Sequence, residues 1–144
     1  VALEILGGPN DGGVVSIQNE YSPRYRGEQD VLNKCTELGI AFLPWSPLGG
    51  IDNSDNLTNA HFAAFEEQAK KHGVSRYAIT IAWHLATSAQ SIPIPGATRK
   101  ESILDNVTGL SVKLSADDLA ALNDSLPANV PLDELLVPQP PFRD

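Results

Sequence analysis

The sequence contains no methionine, one cysteine and few aromatic residues, which make up 6% of the chain. Because the single cysteine, Cys35, excludes a disulfide within the chain, we expect a reducing compartment, namely the cytoplasm. The pattern around Cys35 indicates a small residue packed under a helix. No apolar run reaches the roughly 18 residues that a membrane-spanning helix needs, so we expect no contact with a membrane interior.

An excess of positive charge is also absent. The chain has 10 Lys and Arg residues against 18 Asp and Glu residues, and its formal net charge is −8. A surface of this sign disfavours binding to nucleic acid and to anionic membranes, because both present phosphates that need cationic partners. Any site for an anion must therefore be local, built from backbone amides with one or two cations.

The composition is that of a folded globular domain, with 42% apolar and 19% charged residues. A chain of 144 residues is long enough to bury a hydrophobic core. The first stretch, VALEILGG, begins with Val1 instead of Met and has the pattern of the last turns of a helix. We therefore expect residues 1–144 to form a single domain or a fragment of a longer protein, with an extended Pro-rich tail over 125–144.

Short apolar runs alternate with helical patterns along the chain. The runs that predict strands lie at 14–18, 40–45 and 91–94. The helical patterns lie at 27–39, 60–73, 75–88, 100–107 and 115–125. Each strand precedes at least one helix, which predicts βα units and a parallel sheet. A sheet of only three strands has two open edges. This indicates part of a larger α/β fold or an oligomer that completes one.

Residues typical of helix ends mark several of these boundaries. Ser75 is placed to cap one helix, and Ser115 with Asp118 forms a capping box at the start of another. Gly39 and Gly73 follow the last periodic residues of two further helices and predict that these helices stop there.

Polar or aromatic residues follow all three predicted strands. In parallel α/β proteins, ligands bind at the carboxyl ends of the strands. The three ends here are Gln-Asn-Glu-Tyr at 18–21, Trp-Ser-Pro-Leu-Gly at 45–49 and Pro-Gly-Ala-Thr-Arg at 95–99. Each also has a purely structural interpretation, because Gln18 and Asn19 can bind loop backbone and Trp45 can cover the core.

The segment PGATRKE, 95–101, has two interpretations. As a phosphate site, Gly96 and Ala97 let the backbone approach a ligand, the next helix offers free N–H groups, and Arg99 or Lys100 adds charge. As a simple connection, the segment is a Pro-Gly turn with Thr98 as the helix N-cap and a solvated basic pair. The residues by themselves leave both interpretations open.

Other kinds of site find no support in the sequence. His61, His72 and His84 lack the spacing of metal ligands, and no nucleophile motif indicates a Ser-His-Asp triad. We expect His84 to be a satisfied residue within its helix. The remaining carboxylates of interest are expected to be solvated surface charges: Asp117, Asp118, Asp133 and Glu134.

Five stretches, in this order, resemble the carboxyl-terminal half of the aldo-keto reductase family: VVSIQNEYSP, ELGIAFLPWSPLGG, AKKHGVSRYAITIAWHLA, SIPIPGATRKESILDN and VKLSADDLAALN. The resemblance covers about 14–123. It implies the carboxyl-terminal part of a (β/α)8 TIM barrel, with about three βα units, an extra helix and the extended tail. The three strands then correspond to the sixth, seventh and eighth strands of the family. The family transfers hydride between NADPH (NADP) and a small aldehyde or ketone, without a Rossmann motif.

The resemblance implies the nicotinamide and pyrophosphate contacts of such a site. Gln18 is expected to hydrogen-bond the nicotinamide carboxamide, and Trp45 takes the position of the aromatic residue that stacks on the nicotinamide ring. The residues expected to line the pyrophosphate are Ser46, Leu48 and Gly49.

The resemblance also implies the contacts to the adenosine end of the cofactor. Gly96, Ala97 and Thr98 are expected to approach the adenosine 2′-phosphate, and Arg99 to pair with it. The pair expected to contact adenine is Asp105 and Asn106. The loop reads GATRK with a later Ser102, where many members have Lys-Ser and a later Arg, so the choice between NADPH and NADH stays open.

No catalytic residue can be assigned to this chain. The family's catalytic Asp, Tyr, Lys and His lie on strands that precede the first strand here. Tyr21, Tyr25 and Tyr77 lie in other elements, so none of them inherits the role of proton donor.

Three functions therefore remain as alternatives. The chain is the cofactor-binding half of an NADPH-dependent reductase, whose amino-terminal half lies in the same protein or in another chain. Alternatively, it is a catalytically inactive half-barrel that binds nucleotide or a protein partner as an oligomer, for example with a second copy. The last alternative is an unrelated α/β domain whose loops imitate these motifs. The identity of the carbonyl substrate does not follow from the sequence.

Overall fold

The computed structural model describes residues 1–49 and 63–126. Helices and strands alternate as far as the second strand, as the sequence pattern predicts, and only helices follow it in the described part. The strands are β1, Ser16–Glu20, and β2, Ala41–Trp45. The helices are α1, Ala2–Leu6; α2, Gln29–Leu38; α3, Ala63–His72; α4, Arg76–Thr87; α5, Lys100–Thr108; and α6, Ala116–Asp124. Residues 50–62 lie outside the described part, as does the predicted Pro-rich tail from residue 127 onwards.

The sheet is parallel, as predicted. β1 and β2 pair with Gln18 opposite Leu43 and Glu20 opposite Trp45. The first strand starts two residues later than predicted, although the Val15 carbonyl still accepts a hydrogen bond from the Ala41 N–H at 3.0 Å. The strand also ends two residues later, at Glu20, so Gln18 lies within the strand instead of at its end.

The predicted third strand at 91–94 is reduced to a single parallel bridge between Phe42 and Ser91. The segment still runs along β2, because the N–H groups of Ile92 and Ile94 bond the carbonyls of Phe42 and Pro44 at 2.8 and 3.1 Å. A regular parallel ladder would also need an N–H from Pro44, which proline lacks. One proline in the neighbouring strand thus explains why the ladder is incomplete.

The helix boundaries follow the capping residues found in the sequence. Ser75 caps α4, and its Oγ accepts a hydrogen bond from the Ala78 N–H at 3.0 Å. The capping box of Ser115 and Asp118 opens α6. Gly39 ends α2 in the left-handed conformation, with φ of 70°, where a residue with a Cβ would be strained. The predicted helix at 60–73 is described from Ala63 onwards.

The hydrophobic core lies between one face of the sheet and helices α2, α3, α4 and α6. Trp83 of α4 stacks on Tyr21, with ring centroids 5.8 Å apart and an interplanar angle of 6°. Cys35 is buried in this core, as predicted. Burial of each large side chain of this kind contributes about 2 kcal/mol to stability. Other fully buried members are Leu32, Ile40, Phe42, Phe65, Ile79 and Leu122.

Asp118 is not the solvated surface charge that the sequence predicted. Its side chain is buried, with the residue 4% exposed, and Oδ1 accepts a hydrogen bond from Lys71 Nζ at 2.5 Å. The bond to Lys71, together with the capping bond to Ser115, holds the pKa of the Asp118 carboxyl well below its usual range. Asp118 therefore joins α6 to the last turn of α3. Asp117 is exposed, as expected, whereas Asp133 and Glu134 lie outside the described residues.

Large apolar side chains are exposed on the segments that follow β2 in the sheet. Ile92 is 52% exposed, and on α5 the residue Leu104 is 56% exposed. Other large apolar side chains are also exposed. Before β1 they are Val1, Ile5, Leu6 and Val15, and after β2 they are Ile94, Ile103, Val107 and Leu110. Within the described ranges, no helix combines the length and the apolar composition needed to cross a membrane.

Candidate functional site

Among the described residues, the helices cover one face of the sheet and leave the other uncovered. Ile17 and Phe42, which are paired in register, pack into the core on the helix side. Because side chains alternate along a strand, Gln18 and Trp45 project from the opposite face. Gln18 is exposed and Trp45 is half-buried. Gln18 is paired with Leu43, and Trp45 lies two residues after Leu43 in β2. An amide and an indole thus share one uncovered face on neighbouring strands.

Asn19 is directed to the helix side instead. Its Nδ2 donates a hydrogen bond to Glu28 Oε2 at 2.7 Å, just before α2. Asn19 thus has a structural partner, although this partner is the Glu28 side chain and not the loop backbone that the structural interpretation named. Its amide stabilises the connection from β1 to α2.

A tight turn over residues 46–49 follows β2. The Gly49 N–H donates a hydrogen bond to the Ser46 carbonyl at 2.8 Å. Ser46 has φ of 49° and Gly49 has φ of 92°, so two of the four residues are in the left-handed region. For a serine, this conformation costs about 1–2 kcal/mol. The sequence predicted a polar loop here but not this strained turn. Residues 50–62, which follow the turn in the sequence, lie outside the described part.

Buried His84 of α4 contacts this turn. Its Nε2 lies 2.9 Å from the Pro47 carbonyl oxygen, and its Nδ1 is buried without a hydrogen-bond partner among the described residues. Burial lowers the pKa of His84 from 6.5 to about 4, so the ring is neutral near pH 7. The prediction of a satisfied histidine is therefore correct for one ring nitrogen and wrong for the other.

The segment from Gly96 to Arg99 is exposed and leads into α5. The prediction that Thr98 caps this helix is wrong, because Arg99 is the N-cap residue and its side chain makes no capping hydrogen bond. The basic pair, Arg99 and Lys100, is exposed, which both interpretations of the segment allow. A Cβ placed on Gly96 would meet no atom within 4 Å, so protein packing does not require a glycine here. Within residues 1–49 and 63–126, Arg99 forms no ion pair.

Asp105 and Asn106 are consecutive residues of α5, but their side chains have different surroundings. Asp105 Oδ2 accepts a hydrogen bond from Ser75 Oγ at 2.6 Å, so one carboxylate oxygen is bound to the start of α4. Asn106 borders an apolar cavity of about 260 Å³, together with Ile81, Leu85, Ser91, Ile92, Pro93, Pro95, Val107 and Leu110. Nothing in the local sequence indicated the bond between Ser75 and Asp105, because it joins positions 30 residues apart.

The described residues offer no obvious proton donor in this region. Burial raises the pKa of Tyr21 to about 12, and its hydroxyl donates a hydrogen bond to Gln29 Oε1 within the core. Tyr25 is also buried, and Tyr77 contacts Arg76. In the described part of the chain, no three His, Cys, Asp or Glu side chains form a group that could hold a metal ion.

Comparison with known proteins decides the family. The family model described as "Aldo/keto reductase family" matches residues 10–126. The chain belongs to the aldo/keto reductase family. The resemblance carried by the five stretches over about 14–123 is thereby confirmed, and the alternative of an unrelated α/β domain is wrong.

Individual relatives of this aldo-keto reductase chain agree with the assignment. The "Probable aldo-keto reductase 1" of Glycine max is 30% identical over 139 residues, which cover 79% of this chain and 40% of that protein. Among solved structures, the thermostable aldo-keto reductase Tm1743 in complex with the inhibitor epalrestat is 29% identical, with a TM-score of 0.68. That match covers 77% of this chain and 39% of the other.

A further structural neighbour is a mutant of Gox0644 in complex with NADPH, which is 23% identical and has a TM-score of 0.63. The match covers 77% of this chain and 38% of the neighbour, and at this identity it supports the fold alone. The predicted fold class is confirmed, since the chain forms part of an aldo-keto reductase α/β barrel. It spans about two fifths of the length of the relatives that it matches.

Proposed function

We propose that this aldo-keto reductase chain forms the NADPH-binding part of a carbonyl reductase. The observation that carries the proposal is the common face of Gln18 and Trp45, which lies uncovered beside the turn at 46–49. Membership of the family supports the general chemistry, the redox interconversion of carbonyl compounds and alcohols. When bound, the cofactor would supply the hydride that a small aldehyde or ketone receives.

Gln18 and Trp45 would orient the nicotinamide. A glutamine amide both donates and accepts hydrogen bonds, so it can pair with a carboxamide in one orientation. The indole of Trp45 offers a flat apolar surface on the adjacent strand, where a planar ring can stack. Because the two side chains project from one face, their joint effect would be to hold one side of the ring against the sheet and leave the other for substrate.

The segment from Gly96 to Arg99 would hold the 2′-phosphate. No side chain caps α5, so the N–H groups of its first turn remain available to an anion, and the helix dipole favours negative charge there. Arg99 is exposed and adds a guanidinium, which suits bidentate contact with phosphate. The net charge of −8 disfavours anion binding over the surface as a whole, so an anion site in this chain must be local, as this one is.

The proton donor for the reaction would come from outside this chain's described residues. Tyr21 cannot serve, because its hydroxyl is bound within the core and burial raises its pKa to about 12. The exposed apolar side chains of the segment at 91–94 and of α5, such as Ile92 and Leu104, are typical of a surface that another element covers. We therefore assign the remaining strands and the donor to the amino-terminal half of the barrel, in the same protein or in a second chain.

The test is a titration with NADPH, with NADH in parallel, followed by tryptophan fluorescence. The chain has two tryptophans, and Trp83 is 1% exposed in the core, whereas Trp45 lies on the open face. We expect saturable quenching that persists in Trp83→Phe and disappears in Trp45→Phe. Quenching that follows Trp83 instead, or a flat trace at millimolar NADPH, would contradict the proposal.

The choice of cofactor is tested with Arg99→Ala. Loss of a charge-assisted contact with the 2′-phosphate should weaken NADPH binding about tenfold or more and leave NADH binding nearly unchanged. Lys113→Ala, which removes an exposed cation outside the segment, is the matched control. If both variants weaken NADPH equally, Arg99 acts only through the overall charge.

A second candidate function is a half-barrel without catalytic activity that binds nucleotide or a protein partner as an oligomer. The exposed apolar residues on α5 favour it, because a second copy can also cover them. Sedimentation velocity distinguishes the two functions. A monodisperse dimer would favour this candidate, whereas a chain that stays in solution only with the amino-terminal half would favour the reductase.

A further inference from the structure

His84 is the buried polar group that the proposed function leaves unexplained. The residue is 0% exposed, and its ring contacts two aromatic side chains of the core. Its centroid is 4.8 Å from that of Trp83 and 5.9 Å from that of Tyr21, both in edge-to-face geometry. A ring packed in this way cannot rotate freely, so the direction of its nitrogens is set by the core.

The contact with Pro47 determines the tautomer of His84. A carbonyl oxygen only accepts hydrogen bonds, so the proton lies on Nε2, which donates to the Pro47 oxygen at 2.9 Å. Nδ1 is then a buried acceptor without a partner in the described part of the chain, and such a group is costly. An apolar side chain would avoid that cost but would lose the donor that reaches the turn.

Holding the Pro47 carbonyl also orients the next N–H group. In a trans peptide unit the C=O and the N–H point in opposite directions. Since the carbonyl between Pro47 and Leu48 is directed at His84, the Leu48 N–H of the same unit is directed away from the core. That is the side on which a ligand of the turn at 46–49 would lie.

We propose that His84 is a positioning residue, whose Nε2–H holds the Pro47 carbonyl and so presents the Leu48 N–H to the cofactor pyrophosphate. This inference rests on the proposed cofactor site. The turn needs such support, because Ser46 is held in the left-handed region at φ of 49°. Within the turn itself, the Gly49 N–H donates a hydrogen bond to the Ser46 carbonyl.

His84→Leu and His84→Gln separate this role from general packing. Leucine removes the donor, whereas the Nε2 of glutamine can occupy the place of the imidazole Nε2. We expect His84→Leu to weaken NADPH binding about tenfold and His84→Gln to stay within about threefold of wild type. Adenosine 2′-monophosphate, which lacks the pyrophosphate, should bind wild type and both variants equally. The denaturation midpoint of each variant shows whether affinity simply follows stability.

Each outcome decides a different question. Equal NADPH affinity of His84→Leu and wild type would overturn the inference and leave the cofactor site intact. Parallel losses for NADPH and adenosine 2′-monophosphate, together with a lower midpoint, would show a packing role only and also overturn it. A wild-type chain that does not bind NADPH at all would overturn the proposed function, and this inference with it.

If His84→Leu does not fold, NMR measurements on the wild-type chain still test the inference. Nitrogen-15 NMR of the imidazole should show Nε2 protonated and Nδ1 bare near pH 7. On addition of NADPH, the Leu48 amide resonance should shift more than that of Ala121, an exposed residue of α6. A protonated Nδ1, or an unchanged Leu48 amide in the bound state, would contradict the assignment.

Discussion

Ser75 Oγ donates a hydrogen bond to Asp105 Oδ2 at 2.6 Å while it accepts one from the Ala78 N–H at 3.0 Å. One hydroxyl group therefore caps α4 and also holds α5. The same helix α4 carries His84, which contacts the turn after β2. The turn and α5, whose start is proposed to face phosphate, are thus each bonded to α4 or its N-cap.

Ser75→Ala should lower the free energy of unfolding by about 1–2 kcal/mol, because it removes the N-cap of α4 and the bond to Asp105. Urea denaturation measures this change. Ser75→Thr keeps a hydroxyl at the same position and should recover most of the loss. A double-mutant cycle with Asp105→Ala should give a coupling energy of about 1 kcal/mol. Strict additivity would show that the two side chains do not interact in solution.

Gly96→Ala should leave stability nearly unchanged and weaken NADPH binding. A Cβ at Gly96 meets no protein atom within 4 Å, and its φ is not in the left-handed region, so the fold does not resist the methyl group. A ligand that approaches the backbone closely would resist it. The measurements are the urea midpoint and the fluorescence titration. Unchanged NADPH affinity would show that the ligand does not approach Gly96.

Gly39→Ala is the matched control for this variant. A Cβ at Gly39 would also meet open space, but the φ of this residue is 70° at the end of α2. Alanine there should cost about 1 kcal/mol of stability, and we expect no change in NADPH affinity. The two glycines thus separate a conformational requirement from a requirement for ligand approach. Equal effects of both substitutions on affinity would contradict this distinction.

The burial of His84 predicts how stability depends on pH. Burial lowers its pKa in the folded chain from 6.5 to about 4, so on acidification the unfolded chain takes up the proton first. The stability contributed by the neutral ring is therefore complete above pH 6.5 and is lost progressively as the pH falls to about 4. The loss amounts to about 3 kcal/mol. Urea denaturation at several pH values between 7 and 4 measures it.

Other groups titrate in the same range, so the comparison with His84→Leu isolates the histidine. The variant cannot take up this proton, and its stability should fall less steeply between pH 6.5 and pH 4. Parallel curves for the variant and the wild-type chain would contradict the buried, neutral state of His84.

Local chemistry was enough to predict most elements of the fold. Ser75, Ser115 and Gly39 mark helix ends through backbone hydrogen bonds that span only a few residues, so they can be identified in the sequence. The third strand was predicted too long, because whether a strand completes its ladder depends on its neighbour. Pro44, on the adjacent strand, lacks the N–H that the segment at 91–94 would need.

The candidate site was predictable only in part. The strand-end motifs indicated Gln18, Trp45 and Gly96, since parallel strands bring their carboxyl ends to one edge. They did not indicate that Asn19 faces the helices or that Asp105 is bound to Ser75. Those contacts join side chains on different elements, and their partners depend on how the elements pack.

The sequence by itself determined the positions of the helices, the parallel pairing of the first two strands and the family. These properties follow from periodicity, capping and motif order, which act over short distances along the chain. The tertiary structure alone decided that His84 donates to Pro47, that Asp118 is buried against Lys71, and which face of the sheet stays open. The reason is physical, because burial and hydrogen-bond partners depend on the packing of segments far apart in the chain, and only the folded chain brings them together.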